Sequence, residues 1–204
     1  MPNLLIQTDP HSLSIDLSAL LSHLTLTDAQ FYDFCQTNRD LRIERSATGE
    51  VIIMSPAFAD TGHCNFRLIQ QLANWADADG TGLGFDSSAG FTLPNGATRS
   101  PDVAWIQLER WNRLSPQQQA SFAPICPDFV VELRSASDRL SILQEKLEEY
   151  LANGVRLGLL IDPPNRMVYC YRPGQPVAGL DNPTQVNCAP ELPGFTVKLA
   201  PIWG

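Results

Sequence analysis

The sequence predicts an α/β protein with one main domain, on three observations. Three short apolar runs, Asp102-Val-Ala-Trp-Ile106, Phe129-Val-Val-Glu-Leu133 and the stretch from Val155 to Ile161, have the length and side chains of buried strands. Two longer segments, Thr61 to about Ala78 and Ser135 to just before Gly154, carry apolar residues at helical spacing. With 204 residues and 44% hydrophobic content, the chain can build one substantial core, and a second domain is not required.

Taken in order, residues 1–24 are irregular and then apolar at Leu17, Leu20, Leu21 and Leu24, which fits a short helix or an arm. Thr27 opens a better helix running to about Asn38, with Gln30 at the capping-box position and Phe31, Phe34 and Cys35 on its inner face. Leu41 to Arg45 and Glu50 to Met54, joined through Thr48-Gly49, read as a hairpin. Glu44 and Glu50 lie near that turn and read most simply as a solvated hairpin edge. The first long helix places Cys64, Leu68, Leu72, Trp75 and Ala76 in one stripe and stops at Asp79-Gly80. His63, in its first turn, reads as partly exposed or hydrogen-bonded rather than as a ligand.

Gly82 to Asp86 and Gly90 to Leu93 read as short strands, followed by a turn at Pro94-Asn-Gly96. Pro101 then enters the Asp102 strand, where a missing donor and a fixed φ are tolerated. Residues 107–127 are a polar loop with one helical turn. The second long helix puts Leu140, Leu143, Leu147, Tyr150 and Leu151 on one face, with Glu145, Glu148 and Glu149 pointing outward. A strand ending at Ile161-Asp162 is followed across Pro-Pro-Asn by its antiparallel neighbour, Arg166 to Tyr171. A weak run near Val186 and a strand at Phe195 to Leu199 complete the chain.

Asp102 and Glu132 stand out because each sits in an apolar run with no adjacent basic residue inside that run. A buried unpaired carboxylate is very costly, so each needs a cation, a shared proton or a metal ion. Two readings stand. In one, Asp102 caps a turn and Glu132 pairs with Arg134 or a remote arginine. In the other, the two acids and Lys146 on the following helix form a divalent-metal site. Lys146 lies at the border of its helix's apolar face, so it can either reach over a strand end or run to water and a glutamate one turn away. In the metal reading Asp102, Glu132 and the carbonyl of Leu133 hold Mg²⁺ or Mn²⁺, and Lys146 orients or activates the attacking water.

The formal net charge of −8 argues against broad attraction to nucleic acid. A local basic cleft remains open, since Arg39, Arg42, Arg45, Arg67, Arg99, Arg134 and Arg139 fall around the expected core. The five cysteines are scattered, without a CxxC pair, which speaks against structural zinc and for a reducing compartment. The first residues lack a basic region and a long apolar segment, so neither a signal peptide nor a membrane span is expected, and the protein reads as cytosolic. There is no G-x-S-x-G, Walker A or H-E-x-x-H pattern, and the three histidines are dispersed.

The ordered set Ile43-Glu44, Gly49 to Pro56, His63, Arg99-Ser-Pro-Asp102, Asp128-Phe-Val-Val-Glu132, Ser135-x-Ser137-Asp138, Lys146-x-x-x-Tyr150, Gly154-Val155 and Ile161-Asp162-Pro163 resembles the Uma2 (DUF820) family. That family comprises restriction-endonuclease-like proteins of the PD-(D/E)XK nuclease superfamily, and the resemblance runs from about Leu41 to Leu199. It implies a central mixed sheet with helices on both faces and a catalytic set of Asp102, Glu132 and Lys146. The chain is expected to divide into residues 1–40, an N-terminal arm and helix packed on the core, and a single nuclease-like domain at 41–204. The superfamily lysine would stand at position 134, which is arginine here, and the resemblance moves that role to Lys146. Arg134 could hold a phosphate but not act as a base, because a guanidinium does not release its proton near neutrality. Glu44 and His63 join Arg134 as further candidates. Two functions follow as expectations. One is a Mg²⁺- or Mn²⁺-dependent endonuclease acting on DNA as a homodimer. The other is a catalytically inactive oligomeric protein on the same scaffold.

Overall fold

A computed structural model describes residues 26–203, so the arm or helix expected within residues 1–24 lies outside the described residues. In chain order the elements are α1 (Asp28–Thr37), β1 (Arg42–Arg45), β2 (Val51–Met54), α2 (Ala59–Asp79), β3 (Gly82–Asp86), β4 (Phe91–Thr92) and β5 (Thr98–Arg99). There follow β6 (Val103–Gln107), α3 (Leu108–Trp111), α4 (Pro116–Gln119), β7 (Phe129–Leu133), α5 (Leu140–Ala152) and β8 (Leu157–Asp162). The chain closes with β9 (Met167–Tyr171), β10 (Ala178–Asp181), β11 (Gln185–Asn187), β12 (Thr196–Lys198) and α6 (Ala200–Trp203).

The main sheet has six strands in the order β10-β9-β8-β7-β6-β3. It is mixed: β7 and β8 are parallel, joined through α5, and the other neighbours are antiparallel. Alternation along the strands sends odd and even positions to opposite faces. Val103, Trp105, Phe129, Val131 and Leu133 pack against Leu68, Leu72 and Ala76 of α2. Ala104, Ile106, Val130 and Leu160 pack against Leu147 and Tyr150 of α5. Helices therefore cover both faces, as the resemblance implies. Gly158 fixes how closely α5 sits, since a Cβ there would meet Leu147 Cδ1 at 2.5 Å.

A smaller antiparallel sheet, β2-β1-β5-β4, contains the expected hairpin, and its strand β5 leads through Ser100-Pro101 into β6. Helix α1 closes over this sheet. Thr27 and Gln30 form the reciprocal capping box, and Phe31 is buried with Ile43 and Val51. Arg45 fastens the helix, donating to Asp28 at 2.5 Å and to the carbonyls of Leu26 and Gly96.

Several boundaries differ from expectation for identifiable reasons. Helix α5 begins at Leu140, not Ser135, because Asp138 Oδ2 accepts from the Ser135 amide at 2.8 Å and hydroxyl at 2.7 Å. That local turn outcompetes the first helical turn. The 107–127 loop contains two short helices rather than one turn, the second started by a Ser115–Gln118 capping box with Pro116 in its first turn. Strand β10 was not expected. It is an exposed edge containing Gly179, without the alternation that marks a strand. The five cysteines are free thiols. Among the described residues no helix is long and apolar enough to cross a membrane.

Candidate active site

The register of the main sheet brings the two acids together. The antiparallel pairing of β6 and β7 ends at Val103 opposite Val131. One residue further along, Asp102 faces Glu132, at the cross-strand separation where side chains interact. Glu132 shares the face of Val130 and so turns toward α5. Both acids are buried, and with Lys146 and Leu133 they line one cleft of about 600 Å³.

Asp102 is held from one side. Its Oδ2 accepts from the Leu133 amide at 2.9 Å. Its Oδ1 is approached only loosely, by Asn65 Nδ2 at 3.4 Å and Arg42 Nη2 at 3.6 Å. Glu132 is similarly one-sided, because Oε1 forms an ion pair with Lys146 Nζ at 2.9 Å and accepts from Tyr150 Oη at 3.1 Å, leaving Oε2. Lys146 Nζ also donates to Glu44 Oε1 at 2.9 Å. Glu44 Oε1 further accepts from the Ser100 amide at 2.9 Å, and its Oε2 from Arg99 Nη1 at 3.1 Å. Arg99 Nε in turn reaches Glu149 at 2.6 Å.

Four carboxylates, Asp102, Glu132, Glu44 and Glu149, thus face three cationic side chains, Lys146, Arg99 and Arg42. The surplus negative charge appears at Glu132. Burial pushes its carboxyl up to about 7, with Asp102 and Glu44 adding to the rise and Lys146 opposing it. Burial also acts to raise Glu44, but Lys146, the Ser100 amide and Arg99 outweigh it and hold that carboxyl below its ordinary value. Burial works against the Lys146 ammonium, yet Glu132 and Glu44 overcome it and raise its pKa. Tyr150, buried beside the two glutamates, has its hydroxyl pKa raised well above the usual phenol value.

These contacts revise several sequence expectations. Glu44 is not a solvated hairpin residue, and its 2% exposure reflects the two cations that enclose it. Lys146 does not run to water, since its side chain is 10% exposed and bridges two acids. Glu149 turns inward to Arg99 rather than outward. Glu132 pairs with Lys146, not with Arg134, whose Nη1 lies 3.1 Å from both oxygens of the fully buried Asp162. His63 is exposed and lines a separate cavity with Arg134, Cys64 and Trp203. Of the seven arginines around the core, Arg42 and Arg99 converge on the cleft's acids, while Arg45 and Arg134 serve structural pairs. Sequence reasoning missed the roles of Arg99, Tyr150 and Asn65. The Lys146-x-x-x-Tyr150 spacing was the available signal for Tyr150, because residues four apart share a helix face.

Among the described residues, no group of three or more His, Cys, Asp or Glu side chains is placed to hold a metal ion. The two-carboxylate donor set nonetheless suits a hard cation, since Asp102 Oδ1 and Glu132 Oε2 are the less engaged oxygens of adjacent carboxylates in an electronegative cleft. Leu133 lines the same cleft and gives its amide to Asp102, which keeps its carbonyl a candidate.

A family model described as "Uma2: Putative restriction endonuclease" matches residues 28–200. The chain belongs to the Uma2 family. The match includes α1 as well as the span that carries the sequence motifs. No curated protein matches. The fold is similar to the crystal structure of "a putative nuclease belonging to DUF820" from Anabaena variabilis, with a TM-score of 0.66 at 18% identity. That likeness covers 79% of this chain and 89% of the other, and it is a likeness of fold. The Uma2 chain therefore has a mixed sheet flanked by helices, consistent with a restriction-endonuclease-like architecture.

Proposed function

We propose that this Uma2 protein is a divalent-metal-dependent endonuclease that hydrolyses phosphodiester bonds in DNA. The observation that carries the reading is the register placing Asp102 beside Glu132, with the Lys146 ammonium 2.9 Å from Glu132. Asp102, Glu132 and the Leu133 carbonyl would hold Mg²⁺ or Mn²⁺. Such an ion supplies Lewis-acid polarisation of the phosphate and a lowered pKa for the attacking water.

The protein's own part follows from its electrostatics. Lys146 stays protonated between two carboxylates, so it orients and stabilises developing negative charge rather than accepting a proton. Tyr150 and Lys146 fix the Glu132 carboxyl, and the Leu133 amide fixes that of Asp102. Arg42, with its side chain 34% exposed at the cleft, is placed to meet a phosphate. Arg134 is committed to Asp162 and His63 lies elsewhere, so neither is assigned a step.

Cutting both strands of a duplex calls for two sites or two events, and a homodimer would provide them. Sedimentation at micromolar protein showing a single 22.5 kDa species would remove the dimer. The net charge of −8 favours a second reading, a non-catalytic protein on the same scaffold. Plasmid and oligonucleotide cleavage with Mg²⁺ or Mn²⁺, run beside Asp102→Ala, separates the two. Metal-dependent cutting that vanishes in the variant is expected, and equal activity in both proteins would refute the assignment.

A further inference from the structure

We infer that Asn65 is a ligand of the divalent cation, giving its side-chain oxygen as a third protein donor beside Asp102 and Glu132. The inference rests on the cation site proposed above. Its starting point is an unsatisfied atom: Asn65 Oδ1 is buried and has no hydrogen-bond partner among the described residues. An orphaned buried acceptor is costly, and native proteins rarely keep one without a use. The other half of the same amide, Nδ2, donates to Asp102 Oδ1 over a long 3.4 Å. This orientation is the one expected without a cation, because the opposite one would set two acceptor oxygens against each other.

A cation at Asp102 Oδ1 reverses that preference. The terminal torsion of asparagine is broad, so the amide can turn over without moving its backbone. Turning over exchanges Nδ2 for Oδ1 at nearly the same point and gives up only one long hydrogen bond. Nδ2 then takes the unpartnered position, so that end of the amide is no better satisfied than before, and the gain lies in the contact of Oδ1 with the cation. Helix α2 keeps the backbone in place, since Leu68 and Leu72 anchor it in the core. The chemistry also fits: amide oxygens are hard, neutral ligands of the kind that complete carboxylate sites. They would complete this one without adding to its surplus of negative charge. Arg42 must withdraw from Asp102 Oδ1, and its present distance of 3.6 Å makes that inexpensive.

The test is calorimetric titration of Mn²⁺ into the full chain, for wild type, Asn65→Ala, Asn65→Asp and Asp102→Asn, with urea unfolding of each in chelator. Asn65→Ala should bind Mn²⁺ at least ~10-fold more weakly, an effect as large as supporting groups at metal sites commonly produce. The isosteric Asn65→Asp should bind as tightly as wild type or more tightly, because it presents a charged oxygen at the same place. It decides the matter alone if Asn65→Ala does not fold. Wild-type affinity in Asn65→Ala overturns the inference, as does Asn65→Asp binding more weakly than wild type. If Asn65→Ala binds normally while Asp102→Asn does not, only the role of Asn65 falls. If wild type binds no Mn²⁺, the cation site falls with it.

Discussion

Replacing Lys146 by methionine keeps most of the apolar stem and removes the charge that two buried acids share. Glu44 and Glu132 have side chains 3% and 5% exposed, and each has an oxygen 2.9 Å from Nζ. Removing one partner of a buried ion pair typically costs ~3–5 kcal/mol, because the other charge stays buried without compensation. The burden falls mainly on Glu132. Among the described residues Glu44 keeps Arg99 and the Ser100 amide, whereas Glu132 keeps only the Tyr150 hydroxyl. The loss should depend on pH in a definite direction. In the wild type the Glu132 carboxyl already sits at about 7, above its ordinary value, so its contribution to stability is present at acid pH and is lost as pH rises through 7. Without Lys146 the carboxyl rises further and takes up a proton more readily. Urea unfolding should therefore show Lys146→Met less stable by ~3–5 kcal/mol at pH 8 and by about half that or less at pH 5.5. Adding Glu132→Gln should recover much of the loss at pH 8, because it removes the uncompensated charge. A loss under ~1 kcal/mol at pH 8, the size of an exposed pair, would refute the reasoning. A loss that does not change with pH would refute it equally.

Two further outcomes are expected. Arg134→Met should lose ~3–5 kcal/mol in urea unfolding, because it strands the fully buried Asp162, while leaving Mn²⁺ affinity unchanged. A fall in Mn²⁺ affinity in that variant would return Arg134 to the site. Mn²⁺ affinity should also rise with pH below about 7, approaching tenfold per unit, and level off above it, since Glu132 must lose its proton to act as a ligand. Calorimetry at pH 6, 7 and 8 measures this, and an affinity flat across that range would exclude Glu132 as a ligand.

The acids at the centre of the site could be read from the sequence because each interrupts an apolar run, and a carboxylate there demands a reason. Their adjacency followed once β6 and β7 paired in the register their apolar residues require. The enclosing charges could not be read in the same way. Alternation at Leu41 to Arg45 tells that Glu44 shares a face with neighbours two residues away, but not that α5 supplies a cation 102 residues later in the chain. Lys146 and Glu149 sit beside the apolar stripe of α5, and periodicity cannot distinguish a border facing water from one facing the small sheet. The helix pattern alone makes Lys146 a border residue, whereas the two ion pairs make Lys146→Met a strongly destabilising change. Ser135-Ala-Ser-Asp138 carries side chains that suit a helix start, and the same side chains closed a turn ahead of it instead. Asn65 gave no signal, since a single neutral amide on a helix has no pattern and shows itself only through an unpaired oxygen.

The most direct measurement is an anomalous difference map from crystals of the protein soaked in Mn²⁺ above pH 7. A single strong peak between the Asp102 and Glu132 carboxylates, about 2.2 Å from an oxygen of each and with Arg42 drawn away from Asp102, is the predicted result. An empty cleft at saturating Mn²⁺, with Arg42 and Asn65 still against Asp102, would contradict it and leave the cluster a purely structural network of buried ion pairs.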